Sequence, residues 1–126
     1  MQPETDAHLI SISRVRVLET EEASILRLRG LVRSSTQEDF RSRLSEAGQR
    51  SPFLVVDLSE LDYLNSAGLG MLLLQARRQK TRSGWLRVVA PSPAVAMILK
   101  LAGVDRELPV HPREEEALSD LRARAA

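Results

Sequence analysis

The stretch Leu58-Ser59-Glu60-Leu61-Asp62-Tyr63-Leu64-Asn65-Ser66-Ala67-Gly68-Leu69-Gly70 decides how this chain is read. It joins a short apolar run, Phe53-Leu54-Val55-Val56, to a long apolar segment from Leu69 to Gln79. The first run is continuous and of strand length, as in a strand covered on both faces. The second carries Leu69, Leu72, Leu73 and Ala76 on one helical stripe, widened by Met71 and Leu74. At the junction stand Asn65 and Ser66, followed by small residues. Either polar residue fits the helix N-cap. The free N–H groups and the positive dipole end at such a place favour a negative group. A phosphate on Ser66 would therefore be tolerated by the fold and open to a partner.

Towards the N-terminus, residues 1–8 read as a loose tail, which leaves 9–126 as one domain. Ile12, Val15 and Val17 suggest a strand whose apolar phase changes, so a bulge or a late start is expected. Leu26 and Leu28 alternate with Arg27 and Arg29 up to Gly30, the pattern of a half-exposed strand. The link around Glu19-Thr20-Glu21-Glu22 is too short for a helical crossover, so the two strands form an antiparallel hairpin. Ser35 and Glu38 match a capping box. Phe40, Leu44 and Ala47 then repeat at helical spacing, with Gly48 as the stop.

Towards the C-terminus, Arg77, Arg78, Lys80 and Arg82 suit a solvated helix end, and Gly84 breaks the helix. Trp85 to Ala90 reads as a strand. Pro91-Ser92-Pro93 supplies a cap and a proline at the first helical position. Val95, Ile98, Leu99 and Ala102 make the next helical stripe, ended by Gly103. Glu107 to His111 reads as a short last strand. Arg113 to Arg124 reads as one amphipathic helix with Leu118 and Leu121 inward. The fold class is α/β: a single domain with a mixed sheet, an antiparallel hairpin first, then βα units, with about four helices.

Composition narrows the chemistry. The chain has 126 residues, enough for one domain with a modest core. Aromatic residues are 3% and the net charge is +1, which argues against a single-strand or general nucleic-acid binder. There are no cysteines, so thiolate metal sites and cysteine nucleophiles are out. The start of the chain is polar, and the apolar helix falls short of a membrane span. A cytoplasmic protein without membrane insertion is expected.

Four catalytic or ligand-binding patterns fail. Gly68 and Gly70 lack the further glycine and lysine of a phosphate loop, and read as close helix–strand packing. Asp57 follows an apolar strand as a phospho-accepting aspartate would, but the acidic pair and late lysine of a receiver are missing. It reads as an acceptor that orders a loop. Leu64 stands where a nucleophile elbow needs glycine. His8 and His111 are too far apart to found a metal site. No catalytic residue, metal or cofactor is expected.

At Val56-Asp57-Leu58-Ser59 leading into Leu64-Asn65-Ser66-Ala67-Gly68-Leu69, with Leu28-Arg29-Gly30 before a polar loop, the sequence resembles the STAS domain family of bacterial anti-sigma-factor antagonists. The order of elements is similar over about residues 10–124. The resemblance implies a binding module without catalysis. Such a domain binds an anti-sigma factor that is also a serine/threonine kinase, and so frees a sigma factor. The kinase phosphorylates one serine, here Ser66, and a metal-dependent serine phosphatase reverses this. Asn65, Ser66, Ala67, Gly68, Leu69 and Arg33, in the loop after Gly30, would form the partner face. Two positions depart from the family pattern. Asn65 replaces a frequent aspartate, and Gly30-Leu31-Val32-Arg33 lacks an acid. A second class of role within the resemblance is a scaffold subunit of a stress-sensing assembly or a lipid transporter. Direct nucleotide binding ranks below both.

Overall fold

In the computed structural model the apolar run at Phe53 grows into the longest strand of a five-stranded sheet. Residues 11–17, 22–89 and 91–125 are described. The tail expected over residues 1–8 and the hairpin link around Glu19–Glu21 lie outside them. The elements are β1 (Ser11–Arg16), β2 (Glu22–Val32), α1 (Gln37–Arg50), β3 (Phe53–Leu64), α2 (Ser66–Thr81), β4 (Trp85–Val89), α3 (Pro93–Ala102), β5 (Val110–His111), α4 (Glu114–Ala117) and α5 (Ser119–Ala125). The sheet order is β1-β2-β3-β4-β5, with β1 antiparallel to β2 and the other pairs parallel. A strand order that advances in one direction, joined by crossovers of one hand, places the connecting helices on one face. Phe40 and Leu44 of α1, Leu72 of α2 and Leu99 of α3 accordingly share one core with Leu26, Leu54 and Val56. The other face carries a smaller core, in which Ala117, Leu118 and Leu121 meet Ile25, Val55 and Val89.

Two apolar cores explain where single-strand periodicity misleads. The register of β1 runs unbroken from Ser11 opposite Arg27 to Arg16 opposite Glu22, with neither a bulge nor a late start. Ile12 packs on the larger core and Val15 on the smaller, so the phase change marks a strand covered on both faces. The alternation over residues 26–30 holds, with Leu26 and Leu28 buried and Arg27 and Arg29 exposed, but it does not extend through the first half of β2. Ala23 to Leu26 are buried, because β2 lies between β1 and β3 and beneath helices on both sides.

The helix boundaries move for local reasons. The capping box at Ser35 does not form. Thr36 holds the N-cap position, and its hydroxyl is turned back into the loop, donating to the Leu31 carbonyl at 2.8 Å and accepting from the Arg33 N–H at 3.0 Å. Gly48 does not stop α1, which runs to Arg50; Pro52 then holds Ser51 extended. The missing side chain at Gly48 instead admits Gln75 and Gln79 of α2. Both glutamines are buried, while Leu69 and Leu73 are half-buried and Leu74 is exposed. On α3 the inward residues are Val95 and Leu99, and Ala102 is exposed. The expected strand over 107–111 shrinks to Val110–His111. The expected single last helix breaks at Leu118, whose φ of −108° and ψ of 0° leave the helical run.

The smaller core is fastened by arginines. Arg87 donates to both carboxylate oxygens of Asp120, at 2.7 and 3.0 Å, and to the Ala117 carbonyl at 2.7 Å. Its guanidinium lies 3.7 Å from the centre of the Trp85 ring. The hydrogen bond from Arg87 holds the Asp120 carboxyl below its ordinary value. A depressed carboxylate stabilises the fold above its unfolded pKa, near 4, and loses that contribution as pH falls through the folded value. Denaturation midpoints should therefore fall on acidification below about pH 4. The Asp120→Asn variant should be less stable than wild type at neutral pH and show a flatter acid limb. Parallel acid limbs in urea titrations of the two proteins would refute this role for the pair.

Candidate functional site

The junction quoted above lies at the carboxyl ends of β2 and β3, where the two strands hand over to α1 and α2. Asn65 is the residue that builds it. Its backbone is extended, with φ −79° and ψ 173°. Its Oδ1 accepts from the Gly68 N–H at 2.8 Å, and its carbonyl accepts from Leu69 at 3.0 Å. Its N–H donates to the Val32 carbonyl at 3.0 Å, and its Nδ2 donates to Gln37 Oε1 at 3.0 Å. One side chain thus caps α2, while its backbone fastens the end of β2 and its amide reaches the first residue of α1.

Because Asn65 takes the cap, Ser66 is left as the first residue of α2. It is exposed, and its hydroxyl has no hydrogen bond to any described residue. The first turn of α2 contains no acidic residue. The local field is the positive end of a 16-residue helix.

Gly68 is buried under this turn. A Cβ there would lie 2.6 Å from Leu64 Cδ1 and 2.8 Å from Val32 Cγ1, so glycine lets the start of α2 sit directly on the two strand ends. Ala67 and Leu69 are half-buried against the larger core. Of the six residues expected in a partner face, Ser66 and Arg33 are the exposed pair, Asn65, Ala67 and Leu69 are half-buried, and Gly68 is buried. Arg33 lies in the turn closed by Thr36, next to the Val32 carbonyl that Asn65 engages. Ser34, Ser35, Gly70 and Tyr63 add exposed surface; Tyr63 is 46% exposed and registers with Leu31.

Gln37 and Thr36, which position this loop, carried no recognisable signal in the sequence. Their role depends on which strand end the loop meets. Arg27 and Arg29 do not join the surface at Ser66. Arg27 forms a two-pronged bond to Glu114 of α4, at 2.7 and 2.8 Å, and also donates to Ser13; Arg29 lies 3.6 Å from Glu60.

Asp57 lies inside β3, not in a loop. Its Oδ1 accepts from the Ser59 N–H at 2.9 Å, where the pairing with β2 slips between Arg27 and Arg29. It therefore shapes a bulge upstream of the junction. Its carboxyl is held below the ordinary range: burial pushes it up, and the hydrogen bonds from Ser59 and the charge of Arg27 pull it down. Among the described residues no helix is long and apolar enough to cross a membrane.

Comparison with known proteins agrees with this fold. A family model described as "Mlab, STAS domain" matches residues 15–111. The chain is 30% identical over 102 residues to the anti-sigma-F factor antagonist RsfA of Mycobacterium tuberculosis, covering 79% of this chain and 80% of that protein. The crystal structure of an anti-sigma factor antagonist from Mycobacterium paratuberculosis superposes with a TM-score of 0.74 at 25% identity, over 90% of this chain and 94% of that one. The fold is also that of the anti-sigma factor antagonist SpoIIAA. In its unphosphorylated form the TM-score is 0.73 at 22% identity, over 90% of this chain and 96% of that one. The phosphorylated form, from Bacillus, gives 0.63 at 23% identity, over 89% of this chain and 100% of that one. The fold, the order of the elements and the match over residues 15–111 place the chain in the STAS domain family.

Proposed function

We propose that this protein is an anti-sigma-factor antagonist, a binding module without catalysis, switched off by phosphorylation of Ser66. Its partner is an anti-sigma factor with serine/threonine kinase activity. Binding that partner releases a sigma factor in the cytoplasm, and a metal-dependent serine phosphatase restores the binding form. The observation that carries this reading is the division of labour at the junction. Asn65 satisfies the helix start, so the Ser66 hydroxyl has no structural duty and stands exposed at a helix N-terminus. A kinase could take it without unfolding the cap, and the helix dipole would accommodate the phosphate.

The partner face on this reading is Ser66, Arg33 and the surface around Asn65, Ala67, Gly68 and Leu69. A phosphate adds about two negative charges. Placed inside an interface, that charge disrupts by repulsion and desolvation, while the fold of the free domain stays unchanged. The absence of an acid at position 65 leaves the serine in a less negative field, which favours entry of a phosphate.

Intact mass and pull-down from the native host, with wild type, Ser66→Ala and Ser66→Asp, test this directly. Wild type should carry a single phosphate that Ser66→Ala lacks. Ser66→Asp should hold the anti-sigma partner at least about tenfold more weakly than Ser66→Ala. If no condition yields a phosphate and all three forms retain one and the same large complex, the protein is a scaffold subunit and the switch is wrong.

A further inference from the structure

A second surface lies outside the Ser66 junction. A cleft of about 490 Å³ runs between α1 and α2 on the outer side of the helical layer, a volume within the range of ligand sites. Leu44, Met71 and Leu74 give it an apolar floor, and Leu74 is 42% exposed there. Gln75 also lines it. This side chain belongs to a residue only 5% exposed, yet it is half satisfied. Its Nε2 donates to Gln79 Oε1 at 2.8 Å, while its Oε1 has no partner and is not sealed from solvent. An acceptor of a nearly buried residue that only solvent can fill is free to take a ligand's donor in place of water.

The charges on the rim are unequal in their commitments. Arg41 is engaged with Glu38 at 3.2 Å, and Glu46 with Arg50 at 2.9 Å. The Arg78 side chain forms no ion pair or hydrogen bond with any described residue. The uncommitted charge of the cleft is therefore one arginine, beside an apolar floor and an open acceptor.

We propose that this cleft docks an acidic peptide segment of a partner protein. An apolar side chain lies on Leu44, Met71 and Leu74. A carboxylate side chain of the segment meets Arg78, for which guanidinium is the fitting cation. A backbone N–H of the segment donates to Gln75 Oε1. The hydroxyls of Ser42 and Ser45 line the same cleft and suit a peptide's polar groups. A bare hydrocarbon chain would leave these groups and the Gln75 carbonyl unmatched, at a desolvation cost. The site is independent of the reading of Ser66 and concerns a separate face of the domain.

The test uses the whole protein and a defined probe, the tripeptide acetyl-leucyl-aspartyl-leucine amide, followed by NMR at the Met71 and Leu74 methyl groups and the Arg78 Nε–H. The same peptide with lysine at its centre, and decanoate, serve as competing probes. The acidic peptide should give saturable shifts at all three residues, with the lysine peptide at least tenfold weaker. Arg78→Glu, at an exposed position whose side chain has no partner among the described residues, should invert that preference while leaving the rest of the spectrum unchanged. No saturable shift, equal binding of the two peptides, or no inversion in Arg78→Glu would overturn the proposal. Tighter binding of decanoate than of the acidic peptide would overturn it in favour of a lipid-like ligand.

Discussion

Replacing Gly84 with alanine is expected to remove about 3 kcal/mol or more of stability, the upper range for overpacking joined to broken hydrogen bonds. A Cβ at Gly84 would run into the backbone carbonyl of Pro52. That oxygen is a junction of three elements. It accepts the Trp85 N–H at 3.0 Å, which aligns the first residue of β4, and Gln79 Nε2 at 2.9 Å, which fixes the last turns of α2. Pro52 itself precedes β3. The Gly84 N–H also donates to the Gln79 carbonyl at 2.9 Å. A flexible side chain could yield to the added methyl group, but a carbonyl held by two donors between a proline and a strand cannot move without releasing both. Gly70 is the control. It is exposed within α2 and a Cβ there meets nothing within 4 Å, so Gly70→Ala should gain about 0.5–1 kcal/mol through the unfolded chain and helix propensity. Urea midpoints at unchanged slope would record both effects. A Gly84→Ala protein within about 0.5 kcal/mol of wild type would show that the Pro52 carbonyl is free to move.

The same contrast separates what the sequence made legible from what it did not. Elements whose pattern depends on their own residues were readable: the apolar run of β3, the Ser92 cap followed by Pro93, and Gly103 in the left-handed region with φ 66°. Features decided by a neighbour were not. The burial of Ala23 to Leu26 follows from β2 lying second in the sheet with both faces covered. The continuation of α1 through Gly48 follows from two glutamines on α2 that need its space. The break at Leu118 bends the last segment while Leu118 and Leu121 both stay in the smaller core. Hydropathy counts Gln75 and Gln79 as polar interruptions, and only the carbonyls they meet make them core residues.

The candidate site divides along the same line. Polar residues before an apolar helix marked the place of Asn65 and Ser66, because caps are written locally. Which of the two takes the cap was decided by the neighbours of Asn65, the Val32 carbonyl and Gln37, which hold that residue extended at the helix start. The aspartate at 57 was legible as a local acceptor for Ser59, but its place inside a strand was not. The bulge that carries it exists only in the pairing of β3 with β2.

Gln79→Leu should destabilise the domain by about 3 kcal/mol although it makes a fully buried side chain more apolar. Gln79 donates to the Ser51 and Pro52 carbonyls, each at 2.9 Å, and accepts from Gln75. Leucine removes both donated bonds and leaves the Gln75 amide without its acceptor; each stranded group costs about 1–3 kcal/mol. Gln75→Leu strands only Gln79 Oε1 and should cost about 1–2 kcal/mol. The double variant discriminates the network from a simple loss of packing. Once Gln79 is gone, the Gln75 amide is already unsatisfied, and removing it relieves a penalty. The double loss should therefore fall short of the sum of the singles by about 1–2 kcal/mol. Strict additivity in the cycle would mean that the two amides act separately. A shortfall would establish that α1, α2 and the start of β3 are locked together by polar groups at the end of the helix remote from Ser66. Such a lock keeps α2 in place while a phosphate or a partner acts at its other end.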